Sequence, residues 1–272
     1  MTNNHIQIEF QNIQLEQSDL LMAQLTMIGF EGFEESDNNL KAFIPANDFD
    51  EVAVNEIADS HNISFIQSII EETNWNAVWE SNFEPVLVDD FVSIRADFHE
   101  VATGVEHEIV ITPKMSFGTG HHATTFMLIQ QMREIDFKNK TVFDFGTGTG
   151  VLAILAEKLG AAAIYAVDND EWSILNTKEN IERNNAVKVV LEKIDVVSDS
   201  GQFDIILANI NRNVILDNFL ALKNSLSVGG TLLLSGLLEE DENVISTRAT
   251  ELSLTLNKKI LHNNWISLRF SH

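Results

Sequence analysis

The chain has no cysteine among its 272 residues, which excludes disulfides and thiolate metal sites and makes a reducing compartment, the cytoplasm, the simpler expectation. Basic residues are scarce too. Seventeen lysines and arginines face 41 aspartates and glutamates, a formal charge of −24. A surface of that sign repels phosphate backbones and anionic lipid, so no direct nucleic-acid binding is expected, while a basic protein would be attracted. Acidity that only keeps the chain in solution is the alternative account. No stretch is apolar enough to span a membrane, and the opening MTNNHIQIEF has neither the basic flank nor the apolar run of a signal peptide. Low-complexity segments and repeats of solenoid period are also missing.

What is present divides into two units. HIQIEF alternates like a strand, and SDLLMAQLTMIGF sets Leu20, Leu21, Leu25 and Ile28 at helical spacing behind a Ser18-Asp19 cap. GFEES and NLKAFIPA flank the turn signal Asp37-Asn38-Asn39, FDEVAVNEIADSHN reads as a second helix, and ISFIQSII as a last strand. The order strand, helix, strand, strand, helix, strand predicts a ferredoxin-like α+β domain over residues 1–73. In NWNAVWESNFEPVLV the rings of Trp75, Trp79 and Phe83 recur at one-turn spacing, which suggests a linker over 74–92 carrying an aromatic helix that staples the domains.

From about Lys140 apolar strands and amphipathic helices alternate: TVFDF, GVLAILAEKLGA, AIYAVD, EWSILNTKENIERNN, VKVVLEKI, FDIILANI, RNVILDNFLALKNSL, GTLLLSGLL. This predicts a parallel Rossmann-like α/β sheet over residues 93–272. The end, LSLTLNKKILHNNWISLRF, holds two strand-like runs around His262-Asn263-Asn264, so the sheet should close with an antiparallel hairpin.

In such a sheet the ligand lies beyond the carboxyl ends of the strands. Gly146, Gly148 and Gly150 of DFGTGTG follow the first strand and open a helix, where bare backbone can turn sharply and present amides to a carboxylate or a ribose oxygen. Asp168 ends the next strand, the position at which an acid accepts from ribose hydroxyls. The window GTGVLA also fits a dinucleotide pattern, which keeps a nicotinamide-dependent oxidoreductase as an alternative; the strand stops two residues too early for it. Asp144, within the strand, would repel a pyrophosphate but can hold the amine-bearing end of S-adenosylmethionine, directly or through water, unless it is a paired structural acid. Asp195 in KIDVV falls where the adenine should lie, as a solvated loop acid also would. In LANIN, Asn209 can accept from an amine and aim its lone pair at a methyl group, while Asn211 reads as a helix cap. His121 and His122 are adjacent without carboxylate or cysteine nearby, so no metal site is expected.

Taken together, NWNAVWESNFEP, FGTGHHATT, DFGTGTG, AVDND and LANIN make the chain resemble the class I S-adenosylmethionine-dependent methyltransferases. More closely it resembles the bacterial ribosomal protein L-eleven methyltransferases, over nearly its whole length. FGTG followed by His122, Thr124 and Thr125 is the most specific part. The resemblance implies cofactor contacts at Thr125, Gly146, Asp168 and Asn209, and methylation of lysine side chains and the N-terminal amine of a basic ribosomal protein. His121, Ala123 and Asn211 depart from the family pattern. On this reading FGTGHHATT walls or covers the reactive end, Thr124 or Thr125 gives the cofactor a hydroxyl, and His122 is a candidate base. A methyltransferase of another protein or small amine, or a binding module with a degenerate cofactor fold, are the rival readings.

Overall fold

The computed structural model describes residues 5–272 except 12, 14, 37, 71–82, 115–117 and 195–200. Its backbone clusters into two compact units, Met1–Val78 and Trp79–His272. Trp75 and Trp79 of the expected aromatic helix lie outside the described residues.

In the first unit the strands β1 (His5–Phe10), β2 (Gly32–Ser36), β3 (Asn39–Pro45) and β4 (Phe65–Ile70) pair antiparallel in the order β2-β3-β1-β4. Helices α1 (Leu15–Met27) and α2 (Glu51–Ser60) connect them. Burial alternates along β1 and β3, so Ile8, Phe10, Leu40 and Ile44 share one face with Leu21 and Leu25 of α1. The element order is the βαββαβ expected. One boundary is corrected: α1 begins at Leu15, so Ser18 is no cap. Ser18 is buried inside the helix and its hydroxyl donates to Glu35 across on β2.

The second unit opens with a small sheet that the sequence reading missed. Strands β5 (Val86–Val88), β6 (Val92–Ala96) and β7 (His107–Ile111) lie in that order, so part of the expected 74–92 linker is strand. Phe83, just before it, is buried in the same core as Ile94 and Ile109.

Helix α3 (Ala123–Met132) leads into the main sheet. Its strands are β8 (Thr141–Phe145), β9 (Ala163–Asp168), β10 (Val189–Lys193), β11 (Phe203–Asn209), β12 (Leu226–Leu238), β13 (Thr255–His262) and β14 (Trp265–Ser271). Among the described residues they form one sheet in the order β10-β9-β8-β11-β12-β14-β13. The first five run parallel and β14 lies antiparallel to both its neighbours. The connecting helices are α4 (Val151–Lys158), α5 (Glu171–Arg183), α6 (Arg212–Asn224) and α7 (Glu242–Glu251). Strands β8 and β11 are buried on both faces, which is why TVFDF and FDIILAN are near-continuous apolar runs. In the described residues no helix is long and apolar enough to cross a membrane.

One helix ties three parts of the unit together. Asn180 and Asn184 of α5 accept from the Thr112 and Val110 amides at 2.8 and 3.0 Å, so a helix face supplies hydrogen bonds to a sheet edge. Asn180 also donates to the Thr149 carbonyl at 2.8 Å. The glycine loop after β8 is thereby held from behind.

Candidate active site

Strand order reverses between β8 and β11: β9 and β10 continue to one side of β8, and β12 lies beyond β11. Loops leaving the strand ends part at such a point and open a crevice. Here it is a cavity of about 480 Å³. Asp168, Asn169 and Ser173, from the end of β9 and the start of α5, line one side; Asn209, Gly236 and Trp265, from β11, β12 and β14, line the other. Gly146 and Gly148 form the floor between them.

The floor requires glycine. Gly146 has φ of 77°, and a Cβ there would stand 2.3 Å from Ile210 Cγ2. The Gly148 amide donates to Asp168 Oδ2 at 2.9 Å, and the Asp170 amide to Asp168 Oδ1 at 3.0 Å. Each carboxylate oxygen keeps a further lone pair for a hydroxyl, and the backbone fixes where it points.

The second glycine-rich loop stands against the first. Thr149 Oγ1 donates to the Gly118 carbonyl at 2.8 Å. His122 then caps α3, with Nδ1 accepting from the Thr124 amide at 3.4 Å and lying 2.8 Å from Thr124 Oγ1. The His122 ring borders the cavity and meets Trp265 edge-on, centroids 4.6 Å apart. His121 instead packs against Phe83. The described part of that loop, GTGHHATT, is thus a wall anchored on the glycine motif, and Phe117 before it lies outside the described residues.

At the end of β11, Asn209 is buried and its Nδ2 donates to Thr125 Oγ1 at 2.9 Å. Its Oδ1 has no partner among the described residues. Beneath the loop Asp144 is fully buried: Oδ2 accepts from Thr147 at 2.7 Å, the Ala153 amide also bears on the carboxylate, and Oδ1 has no well-formed hydrogen bond among the described residues. Burial pushes its carboxyl up to about 7; the Thr147 bond opposes that, and the Asp168 charge adds to it. Stranded acceptors on both sides of a glycine floor, one of them on an acid kept from water, suit a cationic ligand bearing a nucleoside.

Of the residues singled out in the sequence, His122, Gly146, Gly148, Asp168 and Asn209 meet around one cavity. Thr124, Thr125 and Asp144 sit behind its wall, Thr125 facing a small adjoining crevice with Gly146 and Asn209. Gly150 turns away and packs on Thr177 of α5. Asn211 caps α6 through the Val214 amide, as read. Asp195 lies outside the described residues. Gly236 and Trp265 were missed. Gly236, with φ of 82°, sits at a register shift in β12 that brings its Cα within reach of Ile210; a Cβ would fall 2.3 Å from the Ile210 carbonyl oxygen. A glycine inside the run LLLSGLL was the available signal.

Comparison with known proteins agrees with this geometry. A family model described as ribosomal protein L11 methyltransferase matches residues 3–272. The Porphyromonas gingivalis protein of that description is 40% identical over 261 residues, covering 93% of this chain and 90% of its own. The Chlorobaculum tepidum one is 37% identical over 279 residues, covering 98% and 96%. Among solved structures, a ribosomal protein L11 methylase from Lactobacillus delbrueckii subsp. bulgaricus superposes with a TM-score of 0.64 at 30% identity, over 70% of this chain and 99% of that one.

Proposed function

The chain belongs to the ribosomal protein L11 methyltransferase family, and from that premise we propose that it transfers methyl groups from S-adenosylmethionine to amines of the large-subunit ribosomal protein L11, on lysine side chains and the N-terminus. The observation that carries the reading is the unpartnered Oδ1 of Asn209 at the rim of a glycine-floored cavity whose far side ends in Asp168.

The cofactor, when bound, supplies an electrophilic methyl group on a positively charged sulfur. Asp168 takes the ribose hydroxyls with the lone pairs its two backbone amides leave over. Gly146 lets the backbone come close under the ligand. Asp144 would offer the cationic end of the cofactor a buried acid, and opposite charge there would draw its carboxyl toward the ionised form. Asn209 Oδ1 accepts an N–H of the acceptor and so turns the nitrogen lone pair toward the methyl carbon. Bound there, the cofactor would supply the methyl carbon to the nitrogen lone pair, its sulfur keeping the electron pair of the broken S–C bond as a neutral thioether. The amine has to arrive neutral, against an ordinary lysine pKa of about 10.4. His122 borders that end of the cavity; with Nδ1 accepting from the Thr124 amide, the neutral ring carries its hydrogen on Nε2 and holds no lone pair ready to act as a base in this arrangement.

The unit Met1–Val78 is the part that recognises the substrate. It holds 14 of the 41 acidic residues and a single basic one, Lys41, a far denser negative charge than the rest of the chain carries. That composition suits a basic ribosomal protein.

Purified protein incubated with labelled S-adenosylmethionine and ribosomes from cells lacking the modification tests the assignment. Label on L11 amines, located by mass spectrometry, is the expected result. Label on another protein or on a small amine would move the chain to a different acceptor, and a nicotinamide absorbance change on mixing would revive the oxidoreductase reading.

A further inference from the structure

The two described tryptophans of the second unit stand at opposite ends of the strand edge and differ in what they face. Trp172, at the start of α5, is 75% exposed and does not line the cavity. Trp265 does line it. It is the first residue of β14, paired with His262 across the hairpin and with Leu238 at the end of β12. Asn263 and Asn264 both have positive φ, the two-residue turn that hairpins favour, and the Glu239 amide donates to the Asn264 carbonyl at 3.0 Å. The backbone under Trp265 is therefore tied to β12 from two directions, and the indole is held against His122.

The chemistry of that end then asks for an apolar group. Among the described residues that line the cavity Asp168 is the one carboxylate, and it lies on the far side. Near Asn209, the Asn211 side chain is spent on capping α6 and His122 Nδ1 on Thr124. Beside these polar groups the described lining at that end offers the apolar side chains of Ile210, Val214 and Trp265. An ammonium pressed against such a surface loses hydration and gives up its proton more readily.

Resting on the methyl-transfer reading above, we propose that Trp265 is the acceptor-side wall of the active site, its indole packing along the methylene stem of the incoming lysine and excluding water from the amine. Trp265 so binds acceptor and not cofactor, and favours amines carried on a long apolar stem.

The test measures cofactor affinity, acceptor KM and the pH profile of kcat for wild type, Trp265→Ala and Trp265→Phe in the full chain. Trp265→Ala should raise KM for L11 roughly tenfold or more, as expected for losing one buried aromatic contact. The ascending limb of kcat should move up by roughly half to one pH unit, because a wetter amine holds its proton longer. Affinity for S-adenosylmethionine should stay within about twofold, and Trp265→Phe should restore much of the KM and the profile. Should the alanine variant melt early, Trp265→Gln keeps bulk at the site and is expected to show the same alkaline shift. Unchanged KM and pH profile would overturn the proposal, as would a loss confined to cofactor affinity. Equal, non-additive effects in Trp265→Ala and His122→Ala would overturn it too, since the indole would then act only by propping the histidine. Wild-type protein inert toward L11 but binding the cofactor normally would instead refute the parent reading.

Discussion

At the Asp168 end of the cavity both carboxylate oxygens already accept backbone amides, from Gly148 at 2.9 Å and Asp170 at 3.0 Å. At the Asn209 end one side-chain atom is tied, Nδ2 to Thr125 Oγ1, and the other, Oδ1, is buried with no partner among the described residues. A carboxylate with each oxygen already bonded to a backbone amide has its direction settled before any ligand arrives, and keeps a lone pair on each for that ligand. A buried acceptor left single carries a cost of about 1–3 kcal/mol that only an incoming donor removes. The first arrangement suits holding a cofactor; the second suits a group engaged during reaction. That difference predicts that damage at the two ends will differ in kind, one in affinity and the other in rate.

The largest effect separates the cavity from its supply of substrate. A fragment spanning Trp79–His272 retains both ends of the cavity. It should bind S-adenosylmethionine with affinity within about threefold of the full chain and lose methylation of L11. Calorimetry beside a label-transfer assay reads both quantities. Full methylation by the fragment would show that the acidic first unit serves some other purpose.

Next in size is Asp168→Ala. Removing both acceptors should weaken cofactor binding by about 1.5–3 kcal/mol, one to two decades in Kd. Unchanged affinity in a folded variant would strip Asp168 of the ribose role and leave the two ends without the contrast drawn above.

The last comparison concerns Asp144, which lies beneath the glycine loop between them and is read in stability, not in binding or rate. Its carboxyl is raised from 3.8 to about 7 in the folded chain, mainly by burial. Between those values the native state keeps a proton that the unfolded chain has lost, so this group's contribution makes stability fall as pH rises from about 4 to about 7 and level off above. Asp144→Asn should remove that slope. Melting temperatures of the ligand-free protein across the same range, for both forms, give the comparison; parallel curves would mean that Asp144 ionises as an ordinary surface acid does.

Much of this was legible in the chain itself, for reasons that also explain the exceptions. Strands such as TVFDF and FDIILAN betray themselves because both faces are buried, and Gly146, Asp168 and Asn209 fall where parallel strands end, which fixes their edge of the sheet. Ser18 was misread because a local cap pattern says nothing of Glu35, its partner on a neighbouring strand. Strands β6 and β7 were hidden by Arg95 and Glu108, charges that look like surface until the 2.7 Å ion pair between them is seen. Trp265 escaped notice because its place in the cavity depends on β14 inserting between β12 and β13, a pairing that no short stretch of sequence encodes.

Whether Asn209 acts in the reaction and not only in binding is decided most directly by the turnover of Asn209→Ala and Asp168→Ala at saturating S-adenosylmethionine. Lost alignment of the amine should hold Asn209→Ala at least roughly a hundredfold below wild type however much cofactor is added, while Asp168→Ala recovers most of its rate. An Asn209→Ala protein that recovers as fully as Asp168→Ala would contradict the account and leave both ends of the cavity as binding sites alone.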